Sequence, residues 1–150
     1  LTVAFMLELL DVAPGDRVME IGTGSGWQTA LLAYLVGEHG KVVGIERIPE
    51  LKEMTLSNLG KYQPLTDRAE IYLGDGSRGV PQGAPFSRII AAAAADEVPL
   101  PWLDQLEVGG TLVAPVRDSI VKIIKEKDKR FRREEYPGFT FVPLVSGTES

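Results

Sequence analysis

The sequence predicts an α/β fold: a mostly parallel open sheet covered by helices on both faces, with antiparallel strands added at its C-terminal edge. Three observations lead there. Short apolar runs alternate with stretches of helical periodicity, which is the pattern of βαβ units. The runs are nearly continuous rather than alternating, as in Val42, Val43 and Ile45, and strands buried on both faces read that way. After residue 116 the alternation stops and β-compatible runs follow one another without a helix between them, which suits hairpin-connected strands.

Residues 1–10 carry apolar side chains at helical intervals among good helix formers, and Pro14-Gly15 stops that helix. Residues 17–21 form a short apolar run that ends at a glycine cluster, and Ala30, Leu31, Leu32, Ala33 and Leu35 then mark a helix over 27–36. Residues 41–46 predict a second strand, and Pro49 sits at a favourable first helical position for a helix reaching Tyr62. A third strand is expected over 69–73, a fourth over 86–91, a short helix over 99–106 and a fifth strand over 110–116. Runs 119–125 and 131–136 predict a hairpin, and 139–145 a further strand that ends the domain.

A chain of 150 residues with 44% hydrophobic content can bury one core, so residues 1–150 are expected to form a single domain. The net charge of -5 argues against a broad nucleic-acid surface, which needs clustered positive charge. No apolar run approaches the roughly 20 residues of a membrane span, and a cytoplasmic location is expected. Zero cysteines and one histidine leave no thiolate or imidazole metal cluster. His39, between Glu38 and Gly40, reads as a solvated loop residue. The seven basic and four acidic residues of 122–135 read as a solvated hairpin tip.

The chemistry concentrates at three strand ends. Glu20-Ile21-Gly22-Thr23-Gly24-Ser25-Gly26 places alternate glycines between a strand and a helix, where backbone can approach a ligand and the helix N-terminus offers free N–H groups. A dinucleotide fingerprint would need a further glycine three positions after Gly24, and that position is Trp27. The Gly-Lys-Ser/Thr ending of a P-loop is missing as well. Glu20 at the strand end would repel a pyrophosphate and attract a cationic amino-acid head. Glu46 closes the second strand 20 residues after Gly26, the spacing at which a carboxylate accepts from both ribose hydroxyls. Asp75, in Gly74-Asp75-Gly76, could accept from the exocyclic amine of an adenine. Together these fit a nucleoside bearing an ammonium and a sulfonium. Trp27 is expected to pack in the core, and the small residues 91–95 to make room beneath the ligand.

These residues resemble one family in particular, the protein-L-isoaspartate (D-aspartate) O-methyltransferases. The matching runs are Thr2-Val3-Ala4-Phe5-Met6 with Glu8-Leu9-Leu10, residues 20–32, Ile45-Glu46-Arg47-Ile48-Pro49-Glu50-Leu51, Gly74-Asp75-Gly76, Ala84-Pro85-Phe86 and Phe141-Val142-Pro143-Leu144-Val145. The resemblance implies a class I S-adenosylmethionine-dependent methyltransferase (Rossmann-like) fold. It implies S-adenosyl-L-methionine as cofactor, held by Glu20, Gly22, Thr23, Gly24, Ser25, Gly26, Glu46, Arg47, Asp75 and Gly76. The implied partners are isoaspartyl-containing proteins or peptides, methylated on the α-carboxyl, with no nucleic acid, membrane or metal. The family's active-site serine belongs to a Gly-Gln-Thr-Ile-Ser-like run that would lie upstream of Leu1, so the sequence itself names no catalytic residue. The fourth strand usually ends in a Thr-Ala-Ala-like run, whereas this chain reads Ala91-Ala92-Ala93. The alternatives are a cofactor-binding domain without turnover and a methyltransferase acting on RNA or a small molecule.

Overall fold

The computed structural model describes residues 2–148. Its strands are β1 (Arg17–Ile21), β2 (Lys41–Glu46), β3 (Ala69–Leu73), β4 (Phe86–Ala91), β5 (Leu106–Val116), β6 (Ser119–Lys125) and β7 (Phe131–Pro137), and its helices α1 (Thr2–Leu10), α2 (Trp27–Val36), α3 (Pro49–Leu59) and α4 (Leu100–Gln105). All seven strands join one sheet in the order β3-β2-β1-β4-β5-β6-β7. The first five are parallel, and β6 and β7 follow antiparallel, as the sequence pattern predicts.

The period of two in a strand sends neighbouring side chains to opposite faces, and each face has its own core. Val18, Val42, Ile90, Val113 and Ile120 pack beneath Met6 and Leu10 of α1 and Leu32, Ala33 and Val36 of α2. Met19, Ile21, Ile89 and Leu112 pack on the other face against Trp102 of α4, with Val80 and Val98 from the loops. The chain steps outward from β1 to β3 and then returns to the other side of β1 for β4. That reversal is the switch point at which open α/β sheets take ligands.

Three expectations change in detail, and one falls outside the described residues. Leu1, expected in the first helix, lies outside the described residues. α3 stops at Leu59, short of Tyr62, and β5 begins at Leu106 rather than 110. Trp27 is not in the core but 67% exposed. The buried stripe of α2 is Thr29, Leu32, Ala33 and Val36, and a residue two positions before Thr29 falls about 200° away from it at 3.6 residues per turn.

Residues 139–145 form no strand of the sheet. Gly138 and Phe139 donate their N–H groups to the Asp118 carbonyl, and the chain turns away from the β7 edge. Phe139 stacks on Phe5 of α1 at 5.8 Å and on Phe141 at 6.0 Å. Burying these rings against α1 takes precedence over extending the ladder. The tail then crosses the ends of the strands, with Ala94 N–H donating to Val142 O at 2.8 Å and Leu144 N–H to Ala94 O at 2.6 Å.

His39 is 87% exposed at its side chain and residues 126–135 are exposed, in line with the solvated loop and hairpin tip expected. Among the described residues no helix is long and apolar enough to cross a membrane.

Replacing Phe5 by Ala should remove the stack that draws the tail inward. It is expected to cost about 2 kcal/mol in urea unfolding, below a fully buried ring because Phe5 is half-buried. Hydrogen exchange should speed up more at the Leu144 amide than at the β1 amides; equal acceleration at both would show that the tail is held without the stack.

Candidate functional site

β1 ends where side chains can no longer follow. Gly22, Gly24 and Gly26 have φ of 83, 55 and 90°, a region that residues with a Cβ avoid. The neighbouring strands stay paired up to this bend: Gly22 N–H donates to Ile45 O at 2.8 Å, and Ala92 N–H to Ile21 O at 3.0 Å. α3 braces the loop from behind. The Thr55 hydroxyl donates to Gly24 O at 2.8 Å and lies 2.9 Å from the Thr23 hydroxyl, while Asn58 Nδ2 donates to Ser25 O at 2.6 Å. Since Thr55 spends its proton on Gly24, Thr23 is the donor between the two hydroxyls. A Cβ on Gly26 would stand 3.0 Å from Thr55 Cα, so α3 can approach only a glycine there.

Glu46 closes β2 and ties the two strand ends together. Its Oε1 accepts from Gly24 N–H at 2.9 Å and its Oε2 from Ile48 N–H at 3.1 Å. A carboxylate offers about four acceptor positions, so the group is oriented and still has lone pairs to spend. It borders a cleft of about 440 Å³, whose walls include Gly22, Gly24, Arg47 and Gly76, with Ala92 and Ala93 at the end of β4 and Val142 to Val145 from the tail. That volume is in the range of small-molecule sites, roughly 300–1,000 Å³.

After β3, Asp75 accepts from the Ser77 amide at 3.0 Å and from its hydroxyl at 2.7 Å. Burial pushes the Asp75 carboxyl up, but these bonds, with the Gly147 backbone and Arg78, hold it below its ordinary value. Asp75 therefore remains an ionised acceptor beside the cleft. Gly76 presses against the end of β1, where a Cβ would meet Ile21 at 2.7 Å.

Glu20 is fully buried beneath the loop, where Thr29 Oγ1 donates to its Oε1 at 2.5 Å. Its Oε2 and the Gln28 amide nitrogen are buried without hydrogen-bond partners. Burial pushes the carboxyl up to about 8, against the hydrogen bond from Thr29 and the pull of the nearby Gln28 amide, while the Glu46 charge adds to the rise.

A switch-point cleft with a glycine loop on one strand end and an oriented carboxylate on the next narrows the choice to nucleoside-binding α/β proteins. The family model described as protein-L-isoaspartate(D-aspartate) O-methyltransferase matches residues 1–149. The chain belongs to this family. The Pyrococcus horikoshii protein-L-isoaspartate O-methyltransferase is 42% identical over 148 residues, covering 95% of this chain and 66% of the relative. The Aeropyrum pernix protein of the same name is 44% identical over 146 residues, covering 93% of this chain and 55% of the relative. The chain thus spans about 55 to 66% of the length of these relatives. A solved protein-L-isoaspartate O-methyltransferase superposes with a TM-score of 0.89 at 28% identity, over 97% of this chain and 47% of the other. A structure described as a beta-aspartate methyltransferase of Plasmodium falciparum, in complex with S-adenosyl-L-homocysteine, gives a TM-score of 0.84 at 25% identity, over 96% and 73%. The fold is that of the S-adenosylmethionine-dependent methyltransferases.

Of the residues the family resemblance singles out, Gly22, Gly24, Glu46, Arg47 and Gly76 line the cleft. Asp75 stands beside it, and Thr23 is buried against Thr55 as part of the brace. Ser25 and Gly26 face a smaller hollow with Trp27 and Tyr62 behind the loop. Glu20 lies beneath the loop rather than in the cleft wall. Spacing alone does not reveal Ile21, Ile45, Ile48 or Val142 to Val145 in the lining. The tail residues carried one signal, the Phe-Val-Pro-Leu run of the family resemblance.

Because Glu20 is raised from 4.5 to about 8, the folded protein holds a proton that the unfolded chain releases. Its stability therefore falls as pH rises between those values. Glu20→Gln, which cannot ionise, should melt at a higher temperature than the native chain at pH 8 and at nearly the same temperature at pH 5. A thermal difference independent of pH would show that Glu20 ionises normally.

Proposed function

We propose that the chain binds S-adenosyl-L-methionine in the cleft and transfers its methyl group to the α-carboxyl of L-isoaspartyl and D-aspartyl residues in damaged proteins and peptides. The observation that carries this reading is Glu46, lining the cleft at the end of β2 with its carboxylate fixed by two backbone N–H groups. This is the position from which a carboxylate takes both ribose hydroxyls. Family membership over residues 1–149 supports the reaction and substrate.

The residues present fit the cofactor. Gly22 and Gly24 leave room for close backbone approach, Gly76 offers a surface for a purine with Asp75 preceding it in the chain, and Arg47 adds a cation to the wall. Glu20, fully buried beneath the loop, does not reach the cleft. The bound cofactor supplies a methyl group activated by a sulfonium. Ile21, Ala92, Ala93 and Val142 give the cleft an apolar wall.

The substrate α-carboxylate, with a pKa near about 3.5, is already ionised at neutral pH and needs no general base. What the protein must provide is alignment, worth roughly 7–11 kcal/mol at most. A second reading, cofactor binding without turnover, draws on the end of β4, where Ala92 and Ala93 bring no hydroxyl to the cleft wall.

A labelled-methyl assay against an isoaspartyl peptide and its aspartyl twin separates the two readings. Selective labelling of the isoaspartyl peptide supports transfer, whereas titration of S-adenosylhomocysteine without labelling supports the second. Glu46→Ala should weaken S-adenosylhomocysteine at least about tenfold by calorimetry, the least expected for a lost charge-assisted hydrogen bond. Native affinity in that variant would remove Glu46 from the site.

A further inference from the structure

α4 is only six residues long, yet two of its side chains hold the loop that follows β3. Trp102 is 1% exposed, and its indole Nε1 donates to the Gly76 carbonyl at 2.8 Å. Three residues on, Gln105 grips the same loop twice. Its Oε1 accepts from Val80 N–H at 2.9 Å and its Nε2 donates to Arg78 O at 2.9 Å. The helix is itself moored to the sheet, since Lys125 Nζ of β6 donates to Leu103 O at 2.8 Å.

Gly76 is the point at which this loop reaches the cleft. It has Ile21 on one side, so close that a Cβ would stand 2.7 Å from Ile21 Cγ2, and the Trp102 indole on its carbonyl. A change of a few tenths of an ångström in Gly76 would therefore alter the wall. A purely apolar ring at position 102 would fill much of the space but remove one of the two donors to that carbonyl, leaving it to Gly79 N–H at 3.0 Å alone.

We propose that Trp102, through its bond to Gly76 O, is a positioning residue that sets the purine-side wall of the cleft and so governs affinity and selectivity for the nucleoside base. The inference rests on the function proposed above. Trp102 does not line the cleft and acts on it through Gly76.

The chain has two tryptophans, Trp27 and Trp102. Trp27 is 67% exposed and faces the hollow behind the loop, so Trp27→Phe leaves Trp102 as the single reporter. Titrating W27F with S-adenosylhomocysteine should shift the Trp102 emission. W102F, assayed by calorimetry, should bind S-adenosylhomocysteine about two- to tenfold more weakly, the effect expected of one hydrogen bond. The native preference for S-adenosylhomocysteine over S-inosylhomocysteine should narrow in W102F.

Binding to W27F with no change in emission overturns the proposal, as does a folded W102F with native affinity and native preference. Should W102F fail to fold, the W27F titration still decides. A native chain that binds no S-adenosylhomocysteine overturns the function proposed above and this inference with it. Binding by the native chain without the W27F signal overturns this inference alone.

Discussion

The Glu46 carboxylate, shared between Gly24 N–H and Ile48 N–H, fixes the distance between the ends of β1 and β2, and the cleft is built around that distance. Without it the glycine loop would keep α3 behind it and the Gly22 N–H bond to Ile45 O at its base, but no tie at Gly24. Such loops lack the cross-strand ladder that holds the sheet, and glycine gives the backbone more freedom to lose than any other residue. A charge-assisted acceptor is about twice as strong as a neutral one. One side chain therefore does structural duty on the loop while facing the cleft.

The fold was largely legible because a parallel sheet buried on both faces imposes a simple rule on its strands. Arg17–Ile21, Lys41–Glu46, Ala69–Leu73 and Phe86–Ala91 stand where apolar runs predict them. Where the sequence pattern failed, side-chain packing had overruled it. Phe139 and Phe141 look like strand residues, but Phe139 stacks on Phe5 of α1 and Phe141 stacks on Phe139. Trp27 looks like a core residue by composition. Its position relative to Thr29, Leu32, Ala33 and Val36 turns it outward, a point that the helical period could have shown.

The site was legible where backbone conformation demanded a residue type and obscure where only proximity mattered. Gly22, Gly24 and Glu46 announce themselves, because a sharp turn needs glycine and a strand-end carboxylate is otherwise rare in a buried strand. Thr23 and Ser25 belong to the same run but turn toward α3 and the hollow behind it. Local spacing carries no information about which way a loop residue faces. Glu20 shows a different limit. Its place at the end of β1 suggested a direct electrostatic role, while the alternation of the strand puts the carboxylate under α2, with Thr29 as its neighbour. The tail residues Val142 to Val145 enter from the far end of the sequence, a juxtaposition that no local pattern encodes.

The tail also determines how the cleft can open. One wall hangs on two backbone bonds to Ala94, and Pro143 can contribute no N–H of its own. Beyond these, the segment is held by the Gly147 backbone at Asp75 and by Leu144 packed on the core, outside the cooperative ladder of the sheet. Loss of these bonds would widen the cleft with the strands and the glycine loop left in register. The cleft is thus walled by two stretches of backbone more than a hundred residues apart, one braced by α3 and the other by its bonds to Ala94.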